Sequence, residues 1–318
     1  HENNNDSSSS IPSYTLDTFM AANLKIKKKP DLLLQKTVFG QLYHQAYNTL
    51  SLSNIYGKKR AFKVQLAGLH SQDEGGPYRE TFYQICSELQ SPLLPLFIPS
   101  PNNRTNVGIN RETYIPNPQA TSPLYCRAYE FIGQLLGLAM KTTLVLSLDL
   151  PPIIWKQLSN ETITKEDVLG IDALSYNIIN MMTKLSSNTL LHQEFQQSYD
   201  GHFTIIGSDQ KTHALIENGQ HIKVTHENIA HYIQLFEQYR LNEFATSIKH
   251  IKKGLFTIIN EKYMSLFDAK ELQLLVCGLV EVDVDLLMKH TVYRHCSQND
   301  PHIINFWKIM RYKMSNKQ

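Results

Sequence analysis

Hydrophobic and polar positions change period several times along the chain, and each change marks an element. Phe62-Lys63-Val64-Gln65-Leu66 alternates apolar and polar side chains, the two-residue period of a strand with one buried face. A polar turn, Ser71-Gln72-Asp73-Glu74-Gly75-Gly76-Pro77, follows. Behind it Tyr78, Phe82, Ile85, Cys86 and Leu89 recur at helical spacing, which predicts a helix with one apolar face. Pro92, Pro95, Pro99 and Pro101 break the pattern, and 102–123 reads as loop with short extended pieces. Residues 125–146 are apolar nearly all round, the signature of a buried central helix. Pro151-Pro152 can open a short helix running to Leu158. Residues 164–185 read as helical in two pieces, with Thr164 as N-cap and Asp167 completing a weak capping box.

Residues 203–206 and Ile222-Lys223-Val224 are predicted strands around a turn at Asn218-Gly219. Thr225 is placed to cap a long helix carrying Ile229, Tyr232, Ile233, Phe236 and Phe244, with Gly254 ending it. Ala269–Cys277 is a further helix with Gly278 just past it. The charged segment 281–285 is strand-like, and 303–310 carries Phe306-Trp307 in a helical pattern. The expected class is α+β, mostly helical.

Composition narrows the function. The 318 residues carry 31 Lys+Arg against 29 Asp+Glu, a net charge of +2 that argues against a nucleic-acid binder. With 42% hydrophobic and 19% charged residues the chain is globular, not disordered. No apolar run reaches the ~18 residues of a membrane span, so no membrane insertion is expected. The Asn/Ser-rich residues 1–13 read as a disordered leader without a signal-peptide pattern, cut from a longer polypeptide. Lys25, Lys27, Lys28 and Lys29 read as a solvated charge run, and the folded body as starting near Val38.

Cys86, Cys126, Cys277 and Cys296 lie far apart with no CxxC pair. Neither a zinc site nor a disulfide scaffold is expected, and the setting reads as reducing, cytosolic or nuclear. Phosphate-cradling loops, HExxH and GxSxG are missing from the sequence, and His290, His295 and His302 lack ligand spacing; no metal or cofactor is expected. Cys86, Cys126 and Cys277 sit in apolar helical patterns and read as small core residues. Cys296, behind Arg294-His295, has the basic neighbours that favour a thiolate.

One stretch stays ambiguous on periodicity. Leu174, Ile178, Met181 and Leu185 fall on one helix face, and Ile179 and Met182 widen that stripe. Core packing and an adaptable methionine-bearing binding surface both fit.

Several strings occur in order: Asp73-Glu74-Gly75-Gly76-Pro77-Tyr78-Arg79-Glu80, Tyr129-Glu130-Phe131-Ile132-Gly133-Gln134-Leu135-Leu136-Gly137-Leu138-Ala139, Pro152-Ile153-Ile154-Trp155-Lys156-Gln157-Leu158, Glu217-Asn218-Gly219, Glu271-Leu272-Gln273-Leu274-Leu275-Val276-Cys277-Gly278 and Asn305-Phe306-Trp307. Their succession resembles the HECT-type ubiquitin ligases. The resemblance implies an N-terminal lobe over 38–277, behind a leader and lead-in segment at 1–37. Within the lobe, a helical subdomain at about 160–230 takes a ubiquitin-conjugating enzyme (E2). It also implies a hinge at 278–282 with Gly278 and Glu281, and a partial C-terminal lobe over 283–318.

By that resemblance Ile179, Met182, Leu185 and Tyr232 line the E2 groove, while Ser175 stands where the family often has a larger apolar residue. Ubiquitin and substrate proteins are the other implied partners. The family's catalytic cysteine sits in a Leu-Pro-x-x-His-Thr-Cys-Phe string, which does not occur here. The expectation is that the catalytic residue lies beyond Gln318. A non-catalytic E2-binding pseudo-ligase, and more remotely a hydrolase using Cys296, are the competing readings.

Overall fold

The computed structural model describes residues 11–50, 60–68, 75–142, 144–186, 200–278 and 283–312. The chain divides into two units, one up to Val276 and one from Cys277 onward. The first unit begins with strand β1 (Ser13–Leu16), paired in parallel with β2 (Lys63–Leu66), so that Tyr14 lies beside Val64 and Leu16 beside Leu66. Between them run helices α1 (Thr18–Lys27) and α2 (Val38–Ala46). The folded body thus starts well ahead of Val38, because buried Tyr14 and Leu16 complete the sheet that the alternation at Val64 requires.

Helix starts follow local chemistry. Asp17, Thr37, Ser100 and Ser122 each accept an amide hydrogen bond at the head of α1, α2, α4 (Pro101–Thr105) and α5 (Pro123–Lys141). Proline occupies the first turn of α3 (Gly76–Leu89), α4, α5 and α6 (Pro152–Ser159), where a missing N–H costs nothing. Gly75 heads α3 at φ +115°, a conformation open to glycine, whereas a Cβ on Gly76 would meet nothing within 4 Å. Only the first glycine of that pair is conformationally required. The turn at 71–74 lies outside the described residues. Arg79 and Glu80 make no ion pair among the described residues.

A short hairpin, β3 (Phe97–Pro99) against β4 (Tyr114–Pro116), precedes α5, whose residues from Ala128 to Ala139 are all buried. α5 stops at Lys141, not 146. Leu144, Leu146, Leu148 and Leu150 are buried at every second position, an extended period, and the Leu146 amide bonds to the Val276 carbonyl. Next come α7 (Lys165–Leu169), opened by the Thr164–Asp167 capping box, and α8 (Ala173–Ser186). Then follow β5 (Thr204–Ile206) and β6 (Thr212–Ala214), an antiparallel pair; a 3₁₀ turn at Gly219–His221; α9 (Ile229–Asn242); and α10 (Ala245–Phe256).

Two sequence expectations change here. Ile222-Lys223-Val224 forms only a single bridge, Lys223 to His202, and β6 takes the place of the second strand. The long helix expected from Thr225 to Gly254 is two helices. Asn228 heads the first, and its Oδ1 accepts the Thr225 amide. Gly254 lies inside the second, against α5. A Cβ there would fall 1.7 Å from the Glu130 carbonyl oxygen, and one on Gly133 would fall 1.9 Å from that of Ile251. These glycines let the two backbones cross at close range. Glu130 itself is buried and accepts from Tyr47 Oη (2.6 Å), Lys253 Nζ (2.8 Å) and His250 Nδ1 (2.9 Å). Burial pulls its carboxyl upward, but these hydrogen bonds hold it below the usual range.

α11 (Ala269–Cys277) ends where Gly278 takes φ +72°. Glu281 and the rest of 279–282 lie outside the described residues. The second unit holds α12 (Val284–His290) and α13 (Pro301–Tyr312). Val284 and Asp285, expected in a strand-like piece, begin α12, because Asp283 caps it by accepting the Leu286 amide at 2.9 Å. Trp307 is buried and donates to Tyr293 Oη at 2.8 Å, and Arg311 pairs with Asp285.

Candidate functional site

Residues 165–186 and 200–242 build a small layer of helix and hairpin with its own core. Ile179 and Met182 of α8 pack on Phe203 and Ile205, on Val224, and on Ile229, Tyr232 and Phe236 of α9. Phe203 meets the Tyr232 ring edge-on at 5.5 Å, and Tyr232 Oη donates to the Thr204 carbonyl at 3.1 Å.

Three of the four expected groove residues are therefore core residues. Ile179 and Met182 are each 1% exposed and Tyr232 3%; Leu185 is partly buried against the same cluster. They were expected to stand partly exposed together on one concave surface, and Ile179, Met182 and Tyr232 do not. The reason is scale. A two-strand hairpin and two helices enclose so little volume that both inward positions of α8 are needed to fill it. The neighbouring positions, Leu174, Ile178 and Met181, are turned about 100° away along the helix and are 41–54% exposed. Both stripes are legible in the sequence. Which one points outward is not, because either has the right period.

A second feature escaped the sequence. Ser175 hydrogen-bonds through Oγ to Asp172 Oδ2 (2.6 Å) and accepts from Arg240 Nη2 (2.8 Å). Arg240 also pairs with Asp172 (3.0 Å) and Glu243 (3.1 Å) and donates to the Ile206 carbonyl (2.7 Å). Glu243 in turn accepts the amide and hydroxyl of Ser208 at 2.6 and 2.8 Å. Arg240, Asp172, Ser175 and Ser208 are all buried. The network ties the head of α8, the β5–β6 loop and the end of α9 together, fixing the face that carries Ile178 and Met181. Ser175 is small and polar here because a larger apolar side chain would displace the guanidinium. The one available signal was Arg240 amid apolar residues, and apart from Glu243 its partners lie 30 or more residues away in the chain.

Nucleophile geometry is weak. Cys86 is buried; Cys126, Cys277 and Cys296 are half-buried, so the apolar helical setting of Cys126 and Cys277 did not make them core residues. The four thiols are not joined in disulfides. Among the described residues no group of three or more His, Cys, Asp or Glu side chains is placed to hold a metal, and no helix is long and apolar enough to cross a membrane. The site offers an apolar contact surface beside a buried polar network.

Residues 83–318 match the family HECT-domain (ubiquitin-transferase). The chain is 31% identical over 275 residues to the E3 ubiquitin-protein ligase HERC2 of Mus musculus, an alignment covering 86% of this chain and 6% of that protein. It is 27% identical over 270 residues to the E3 ubiquitin-protein ligase RSP5 of Saccharomyces cerevisiae, covering 85% and 32%. The probable E3 ubiquitin-protein ligase HECTD4 of Homo sapiens aligns at 28% over 266 residues, 78% of this chain and 7% of that one. The chain belongs to the HECT family, as a mostly helical α+β ubiquitin-transferase domain. It spans only a small part of the length of these relatives.

Proposed function

We propose that the α8–α9 layer docks a ubiquitin-charged E2, within a HECT ligase that passes ubiquitin through a C-terminal-lobe thioester to a substrate lysine. The observation that carries this reading is the apolar stripe Leu174, Ile178 and Met181, held exposed by the Arg240 network above a sealed core. Exposed large apolar residues at helical spacing on a fixed scaffold are what a partner's apolar loop can cover. Methionine adapts to the shape it meets.

The chemistry is two acyl transfers. A cysteine thiolate attacks the E2–ubiquitin thioester carbon and the E2 thiolate leaves. The lysine amine then attacks the new thioester, an isopeptide bond forms, the cysteine thiolate leaves, and the amine proton passes to solvent. On this reading the nucleophile is none of the four cysteines here, and Gly278 with 279–282 supplies the joint between lobes. These residues contribute proximity, placing donor and acceptor within reach.

The test separates contact from core. Ile178→Ala and Met181→Ala should melt like the parent and weaken E2 binding by about 1–2 kcal/mol. Met182→Ala should lose about 2–5 kcal/mol of stability instead. Calorimetric titration against a set of E2 proteins, with melting measured alongside, reads both. If the two exposed variants bind every tested E2 as tightly as the parent does, the docking face is elsewhere.

A further inference from the structure

Helix α1 has two apolar faces and uses one. Ala21 and Leu24 are buried against the body. At about 100° per residue, Phe19 and Ile26 lie on the opposite side, pointing directly outward, and they are 64% and 78% exposed. Met20 is exposed too, but about 100° round the helix from Phe19. A helix apolar on both sides is patterned for burial on both sides.

The charged side chains of α1 and of the two positions after it are all lysines. Lys25 flanks it on one side and Lys27 on the other, and Lys28 and Lys29 follow at the C-terminal end; all four are exposed. No ion pair engages them among the described residues. The acids next to these residues in the chain are occupied: Asp17 accepts the Met20 amide at the far end of α1, and Asp31 accepts the amides of Gln35, Lys36 and Thr37. Burial opposes the ionisation of Asp31, but those amides hold its carboxyl below the usual range, so it stays charged and internally satisfied. Glu80 stands across a cleft of about 710 Å³ that Lys25 and Lys28 also line, behind the ridge and not on it.

We infer that α1 is an interfacial anchor that holds this chain against an anionic bilayer surface. The ridge is convex, so a flat surface covers it more completely than a groove-binding peptide does. An aromatic and an aliphatic side chain, flanked on both sides by lysines, match the acyl boundary and the headgroup layer respectively. Four clustered lysines on such a helix suit phosphatidylserine-rich membranes. The helix lies on the membrane and does not cross it. Such an anchor confines the ligase domain to substrates at a membrane.

The experiment is co-sedimentation of the whole chain with vesicles of phosphatidylcholine alone, or with about a third phosphatidylserine. The chain should sediment only with the anionic vesicles, and less so as salt is raised. Lys27→Gln with Lys28→Gln should lower partitioning about thirtyfold, roughly fivefold for each lysine. Phe19→Ser with Ile26→Ser should lower it at least about tenfold. Both double variants should melt like the parent, since the altered side chains are exposed. Lys262→Gln with Lys270→Gln, exposed lysines remote in sequence, should bind as the parent does. Three results overturn the inference: no sedimentation with anionic vesicles, sedimentation that both α1 variants retain, or an equal loss in the control variant. Capture of an acidic protein by α1 without vesicle binding also overturns it and assigns the ridge to a protein partner.

Discussion

Gly254→Ala tests the frame on which the docking layer stands. The new Cβ would lie 1.7 Å from the Glu130 carbonyl oxygen, where an ordinary van der Waals contact begins at 3.4 Å. The difference, 3.4 minus 1.7, means the backbones of α5 and α10 must part by about 1.7 Å there, because neither a carbonyl oxygen nor a helix backbone can rotate away. A gap of 0.5–1 Å already forfeits about a quarter to a half of a contact's dispersion energy, and the opening spreads along the crossing. Overpacking of this kind costs about 1–3 kcal/mol, or more where only backbone is available to move. Against it stands the gain of alanine over glycine inside a helix, about 1 kcal/mol. The crossing therefore wins, with a net loss of roughly 2 kcal/mol or more, equivalent to a melting temperature lower by about 4–8 °C. Urea denaturation and thermal melting of the variant measure this. Gly76→Ala is the control, since its Cβ meets nothing within 4 Å, and it should melt like the parent. A Gly254→Ala protein that melts at or above the parent temperature would refute the close crossing, leaving propensity as the only effect of that glycine.

Arg240→Met should cost about 3–5 kcal/mol, because it leaves the buried Asp172 and Glu243 carboxylates without their cation; a loss under about 1 kcal/mol in denaturant titration would remove the network from its role in fixing α8. Glu88 is buried while accepting the Val38 and Phe39 amides, and burial outweighs those hydrogen bonds and pushes its carboxyl up from 4.5 to about 7. A raised folded-state value gives stability that is present below pH 4.5 and lost as pH rises through about 7. Between pH 5.5 and 8, then, the parent should lose stability relative to Glu88→Gln, and a difference that stays constant across that range in urea titrations would sink the assignment.

The sequence by itself determined many of the local elements and some of their starts. The Thr164 cap, the proline pair at 151–152 and the alternation at Val64 act within a few residues, so they are readable from the string alone. Ordered motifs likewise carried the family. What needed the tertiary structure was everything set by partners distant in the chain. Gly254 has the credentials of a helix terminator, and only the carbonyl of Glu130, over a hundred residues earlier, makes it a crossing point. The 144–150 stretch continues an apolar run, and only its bond to Val276 shows that it leaves the helix. The two stripes of α8 have equal claims to the core on periodicity. The hairpin and α9 decided between them, sealing Ile179 and Met182 with Tyr232 and leaving Ile178 and Met181 to solvent. A helical period states that a face is apolar; which neighbour covers that face is a property of the packed chain.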